Sequence, residues 1–190
     1  MEAIILAAGF GRGLEPITHT RPTPLLPLPG RTLLEYHLDN LRMVRGVSRV
    51  VIVASYLLDR VRELVRRVEG RYPFDIVVVD QGRPLGTAHA LLRGLEASTG
   101  GPLLVLYVDS AYSTEDFAKL AEASGRFVVT AYRVGDPRDY GVLVVGPGGT
   151  LRELVEKPAA PPSDLVNAGV YLLDHSIGRY LERVELSPRG

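Results

Sequence analysis

The sequence predicts an α/β fold on one sheet, parallel at first and mixed later. Three observations carry that reading. Short apolar runs alternate with amphipathic stretches over residues 1–124. The runs are apolar almost throughout, as strands buried on both faces must be. From Phe127 onward, strands follow one another with few helices between them.

The elements follow in order. EAIILAA (Glu2–Ala8) is the first strand, and a glycine-rich loop and a proline-studded segment follow it. After Pro29-Gly30, Thr32 and Glu35 form a T-x-x-E capping box, and Leu34, His37, Leu38 and Leu41 recur at helical spacing. Val50–Ala54 is a second strand. The next helix sets Leu57, Leu58, Val61, Leu64, Val65 and Val68 on one face and turns arginines and glutamates to solvent. Phe74–Val79 is strand three, Gly86–Ala97 a helix and Leu103–Val108 strand four. Ser113 and Asp116 start a helix running to about Ser124. Phe127–Tyr132, Gly141–Val145, Leu151–Val155 and Val166–Leu172 are strands, the middle pair a hairpin around Pro147-Gly148-Gly149. Pro158–Pro162 is a surface loop, because the strands flanking it still need partners.

Composition narrows the function. A chain of 190 residues is expected to form one domain, 1–190, with a proper core. A formal net charge of zero speaks against nucleic-acid binding and against adhesion to acidic membranes. No apolar run reaches membrane-spanning length and the N-terminus enters a strand at once, so neither anchor nor signal peptide is expected. The absence of cysteine excludes disulfides and thiol chemistry and makes the cytoplasm the default location. The four histidines show no metal-ligand spacing.

Ligands of such sheets sit beyond the carboxyl ends of the strands. After strand one, Ala7, Ala8, Gly9, Gly11 and Gly13 leave backbone N–H groups able to close on an anion. The G-x-G-x-x-G spacing of a dinucleotide loop fails here, and a long proline-rich loop replaces an immediate helix. After strand three comes Gln81–Ala88 and after strand four Asp109, which alone reads as a loop or capping residue as readily as a metal ligand. Gly141 and Gly169 read equally as turn geometry. Lys157, beside a proline at a strand end, reads as an ion-pair partner or as a contact to a phosphate.

The order of these elements resembles the sugar-nucleotide pyrophosphorylases, which join a nucleoside triphosphate to a sugar 1-phosphate. The likeness rests on L-A-A-G-x-G at Leu6–Gly11, L-G-T-A-H-A at Leu85–Ala90, Y-G at Tyr140-Gly141, V-E-K-P at Val155–Pro158 and N-A-G-V-Y at Asn167–Tyr171. With Leu106-Tyr107-x-Asp109, it is nearest to the N-acetylglucosamine 1-phosphate uridylyltransferases, with glucose 1-phosphate thymidylyltransferases close by. The resemblance implies a Rossmann-like three-layer α/β/α fold of the nucleotide-diphospho-sugar transferase type. It implies that Leu6, Ala8, Gly9, Gly11, Gln81, Gly86 and Thr87 hold the nucleotide, and that Gly141, Glu156 and Asn167 contact the sugar. Asp109 would bind Mg²⁺ and serve catalysis; from the residues themselves, Lys157 is a further catalytic candidate, and Arg12, one residue from Gly13, is the side chain that could swing in where the family has its arginine. The implied partners are UTP or dTTP with a hexose 1-phosphate, or the nucleotide sugar; a homo-oligomer stays open. The chemistry of these side chains agrees: Gln81 offers a donor and an acceptor to a uracil or thymine edge, and Gly86 lets a base lie against the backbone.

The chain departs from the family pattern in four places. Gly13 stands where the signature has arginine, Thr23 where it has lysine, and Val108 where glycine precedes the aspartate. Leu186–Gly190 resembles the start of the family's S-P-R-G-E segment, so the domain is expected to be C-terminally short. Two functions follow from this mixture. One is a nucleotidyltransferase of weakened or lost activity. The other is a regulatory or sensor module that kept the nucleotide-sugar pocket and shed the charged groups. A decayed gene product is a third, bland reading, and it would show as an aggregating chain.

Overall fold

The computed structural model describes residues 1–83 and 85–185; Pro84 and the Leu186–Gly190 segment named above lie outside the described residues. In chain order the elements are β1 (Glu2–Leu6), β2 (Pro27–Leu28), β3 (Arg31–Thr32), α1 (Leu33–Arg42), β4 (Arg49–Ala54), α2 (Leu58–Val68), β5 (Asp75–Asp80), α3 (Thr87–Glu96), β6 (Pro102–Tyr107), α4 (Thr114–Ala121), β7 (Phe127–Arg133), β8 (Gly141–Val145), β9 (Leu151–Glu156), β10 (Leu165–Asp174) and α5 (Gly178–Leu181).

β1 is buried along its whole length and pairs in parallel with β4 on one side and β6 on the other; β4 pairs in parallel with β5. The direction of winding therefore reverses between β1 and β6, where open sheets of this kind part to form a crevice. β10 closes on β6 antiparallel, then carries β7 and β8, and β9 forms the far edge. The sheet is mixed and mostly parallel at its centre, as expected.

Alternation along the strands makes three layers. Ala3 and Ile5 of β1, with Val50, Ile52, Leu104 and Leu106, face α1, α2 and α4. Ile4 and Leu6, with Val51, Val53, Leu103 and Val105, face α3, with Ile177 and Leu181 of the α5 region packed against them. Each valine, leucine or isoleucine among them contributes roughly 1.5–3 kcal/mol on leaving water. Both capping boxes form: the Thr32 hydroxyl accepts from the Glu35 N–H while Glu35 accepts from the Thr32 N–H, and Ser113 and Asp116 repeat the exchange.

Two features went unread in the sequence. The proline-studded segment folds a small hairpin, β2–β3, whose turn uses Gly30 at φ +77°. β10 is longer than expected and bulges, its register on β7 shifting between Asn167 and Tyr171. Gly169 sits in that bulge at φ +76°, and a Cβ there would lie 2.5 Å from the Tyr107 ring, so only glycine admits the approach. No helix among the described residues is long and apolar enough to cross a membrane.

Candidate functional site

A cavity of about 530 Å³ opens where β1, β5 and β6 end. It gathers Leu6, Ala8, Gly9, Gly11, Arg12, Gln81, Gly86, Thr87 and Asp109, together with Phe10, Thr23 and Tyr107. Three parallel strands deliver these residues from widely separated stretches of sequence to one place.

The loop after β1 is held from below. Gly11 takes φ +67°, and its carbonyl accepts from the Thr18 hydroxyl at 2.9 Å. A Cβ at Gly11 would stand 2.5 Å from Thr23 Oγ1. Thr23, at the position of the signature lysine, is only 4% exposed and braces the loop. The following segment is tied to α2 and its approach: the Tyr56 hydroxyl donates to the His19 carbonyl and Arg60 to that of Thr20. Arg12 stacks over the exposed Phe10 ring at 5.8 Å and is the one basic side chain lining the cavity among the described residues. Arg133 at the end of β7 and Arg138 in the turn before β8 pair with Asp164 and Asp136.

At the opposite wall Gln81 is buried, its amide nitrogen 3.0 Å from the Gly86 carbonyl and 3.2 Å from His89 Nδ1. Gly86, at φ +92°, opens α3. The third wall is the end of β6. Val108 turns its side chain into the core, its N–H donating to Leu6 and its carbonyl accepting from His37 Nε2 at 3.0 Å. Substituting valine for the family's glycine therefore adds to the packing. Burial holds the His37 imidazole below its usual pKa, and Nδ1 finds no partner among the described residues. Burial also pushes the Tyr112 phenol up to about 12; its hydroxyl donates to the Ala168 carbonyl.

Asp109 is the one carboxylate lining the cavity, and no cluster of three metal-binding side chains occurs among the described residues. One carboxylate suits a hard cation that keeps waters and rests on substrate phosphates, as Mg²⁺ does.

The remaining site residues lie elsewhere. Gly141 and Glu156 sit opposite each other on β8 and β9, and a Cβ at Gly141 would come 3.3 Å from Glu156 Oε2. Lys157 has φ +46°, and its N–H donates to the Tyr140 carbonyl. Asn167 donates to the Tyr171 hydroxyl at 2.7 Å and accepts from the Gly169 N–H at 3.0 Å. It lines a second cavity of about 820 Å³ with Tyr140 and Tyr112, and Tyr107 stands between the two cavities as a shared wall. Sequence reasoning passed over Phe10, Tyr107 and His89. The L-Y-x-D and L-G-T-A-H-A phrases contained the last two, but nothing in the sequence said which way their rings turn.

A model of the nucleotidyl transferase family matches residues 2–190. Over its full length the chain is 34% identical to the bifunctional sugar-1-phosphate nucleotidylyltransferase/acetyltransferase of Sulfurisphaera tokodaii, covering 45% of that protein. Over 99% of its length it is 34% identical to the mannose-1-phosphate guanyltransferase of Schizosaccharomyces pombe, covering 53%. The chain thus spans about half the length of the curated relatives it matches. A crystal structure of UDP-glucose pyrophosphorylase complexed with UDP-glucose shares the fold, with a TM-score of 0.78 over 97% of this chain and 80% of that one, at 22% identity.

Proposed function

The chain belongs to the nucleotidyl transferase family, and on that premise we propose that it joins a nucleoside triphosphate to a sugar 1-phosphate, forming a nucleotide sugar and pyrophosphate. The observation that carries this reading is that one cavity, at the β1/β6 reversal, has a glycine loop on one side, Gln81 and Gly86 on another and Asp109 on the third. UTP or dTTP is the proposed nucleotide and a hexose 1-phosphate the proposed acceptor.

Each wall has a task. Backbone N–H groups of Ala8–Gly11 face the phosphates, where small side chains let the anion approach. Gln81 and Gly86 receive the base. Asp109 would hold Mg²⁺ together with the phosphates, the ion supplying charge neutralisation when bound. Gly141, Glu156 and Asn167 are assigned to the sugar and Lys157 to its phosphate. The reaction is an attack of a sugar-phosphate oxygen on the α-phosphorus with pyrophosphate leaving. Catalysis of that kind is mostly positioning and neutralisation of charge. Arg12 is the side chain placed to neutralise, and leaving its stack on Phe10 would bring it to the phosphates. With Gly13 and Thr23 uncharged, turnover is expected to be slow.

Calorimetric titration with UDP-N-acetylglucosamine and dTDP-glucose, with and without Mg²⁺, tests the reading when pyrophosphate exchange is assayed in the same samples. Binding with exchange supports the enzyme. Binding without exchange replaces it with a nucleotide-sugar sensor. If neither ligand binds, the nucleotide assignment of the cavity is wrong.

A further inference from the structure

Gln81 makes two hydrogen bonds whose chemistry leaves no freedom. Its amide group lies 3.0 Å from the Gly86 carbonyl. A carbonyl only accepts, so the atom facing it is the amide nitrogen and not the oxygen. The same nitrogen lies 3.2 Å from His89 Nδ1. An amide nitrogen only donates, so Nδ1 accepts, and the neutral His89 ring carries its proton on Nε2. Both N–H bonds of Gln81 are thereby committed inside the protein. Its oxygen has no hydrogen-bond partner among the described residues, and the residue lines the cavity.

Resting on the nucleotide reading of this cavity, we propose that His89 is a positioning residue that locks the Gln81 carboxamide with its oxygen toward the base, so that the site selects nucleobases carrying a ring N–H on their pairing edge. Uracil, thymine and guanine meet that demand. Cytosine and adenine place a bare ring nitrogen there, and acceptor would face acceptor. His89 reaches Gln81 from the first turn of α3, and Gly86, at the start of the same helix, supplies the second half of the lock. The carboxamide thus takes its orientation from the helix start, where both partners sit.

Removing Nδ1 leaves one Gln81 N–H without an acceptor and frees the carboxamide to present that N–H to the base. The experiment compares UTP and CTP binding by calorimetry in wild type, His89→Leu and His89→Asn; asparagine keeps an acceptor near the place of Nδ1. The wild type prefers UTP. His89→Leu loses roughly five- to tenfold of that preference, the worth of one hydrogen bond, and His89→Asn recovers most of it. Long-range ¹⁵N correlation spectra of the free protein read the tautomer directly and are expected to show His89 protonated at Nε2. A UTP/CTP ratio unchanged across all three proteins, or a neutral His89 protonated at Nδ1, overturns the role of His89 while leaving the nucleotide site standing. Wild type that binds neither triphosphate overturns the nucleotide reading and this proposal with it.

Discussion

The parallel half of the sheet and its antiparallel half are built to different rules. β1, β4 and most of β6 are buried, sandwiched between helices. β9 is exposed along nearly all of its length, and its own Leu151 and Leu154 stand in solvent. Residues expected to touch the nucleotide come from the first half and share one cavity. Those expected to touch the sugar come from the second and lie outside it, on a hairpin and in a bulge. A strand covered on both faces has its end fixed by the core, so the residue after it is placed to within the packing tolerance. A hairpin at the rim has no such constraint.

The largest expected effect tests whether the first half lacks charge rather than shape. Gly13 has open space where a Cβ would stand, and Thr23 lines the cavity. Gly13→Arg combined with Thr23→Lys should raise pyrophosphate exchange by about 10²–10³, the usual worth of a preorganised electrostatic partner. No gain either in the double variant or in Gly13→Arg alone, which leaves the Thr23 brace intact, would mean that missing charge is not what limits this half.

Stability should divide the halves in the same way. Leu106→Ala in β6 removes a fully buried side chain and should cost about 2–5 kcal/mol in urea unfolding. Leu154→Ala in β9, where the leucine is 44% exposed, should stay within roughly 0.5 kcal/mol. Equal losses would erase the distinction. The seam between halves falls between these values: Gly169→Ala forces a left-handed φ on alanine and drives its Cβ toward Tyr107, for a loss of about 1–3 kcal/mol.

The legibility of the sequence followed the same division. Uniform apolar runs located β1, β4 and β6 nearly to the residue, and the two capping boxes located α1 and α4. Hydropathy carries such elements because both faces are buried. The β10 bulge escaped because its cause is tertiary: Gly169 yields to the Tyr107 ring, a contact between residues far apart in sequence. Motif order named residues that prove to share one cavity, and their nucleotide role is the proposal made above. The direction in which Gln81 points was not, because a backbone carbonyl and a histidine nitrogen decide it.

The last expected effect is a dependence on pH. His37 donates from Nε2 to Val108, and a second proton on buried Nδ1 would find no acceptor. Its folded-state pKa is therefore lowered, and the unfolded chain takes up the proton first as pH falls. Its contribution is complete above about pH 6.5 and declines below it, by at most ~1.4 kcal/mol per pH unit, until the folded ring also protonates. Chemical denaturation between pH 7 and pH 5 should show this slope in the wild type and lose it in His37→Gln. The carboxylates Glu2, Glu35 and Asp116, whose pKa values are lowered, lose their contributions only at more acid pH.

The arrangement of β6 also sets a timetable for synthesis. Its partner β1 and the neighbouring β4 and β5 precede it in the chain, so the parallel sheet can assemble as soon as Tyr107 has emerged from the ribosome. The other edge of β6 waits for β10, which begins at Leu165. At about 5–20 residues per second, that interval lasts roughly 3–12 s. During it the strand Pro102–Tyr107 offers an open row of backbone donors and acceptors beside wholly apolar side chains, the kind of edge that recruits other chains. The nascent chain is thus most exposed to aggregation while residues 108–164 are being translated.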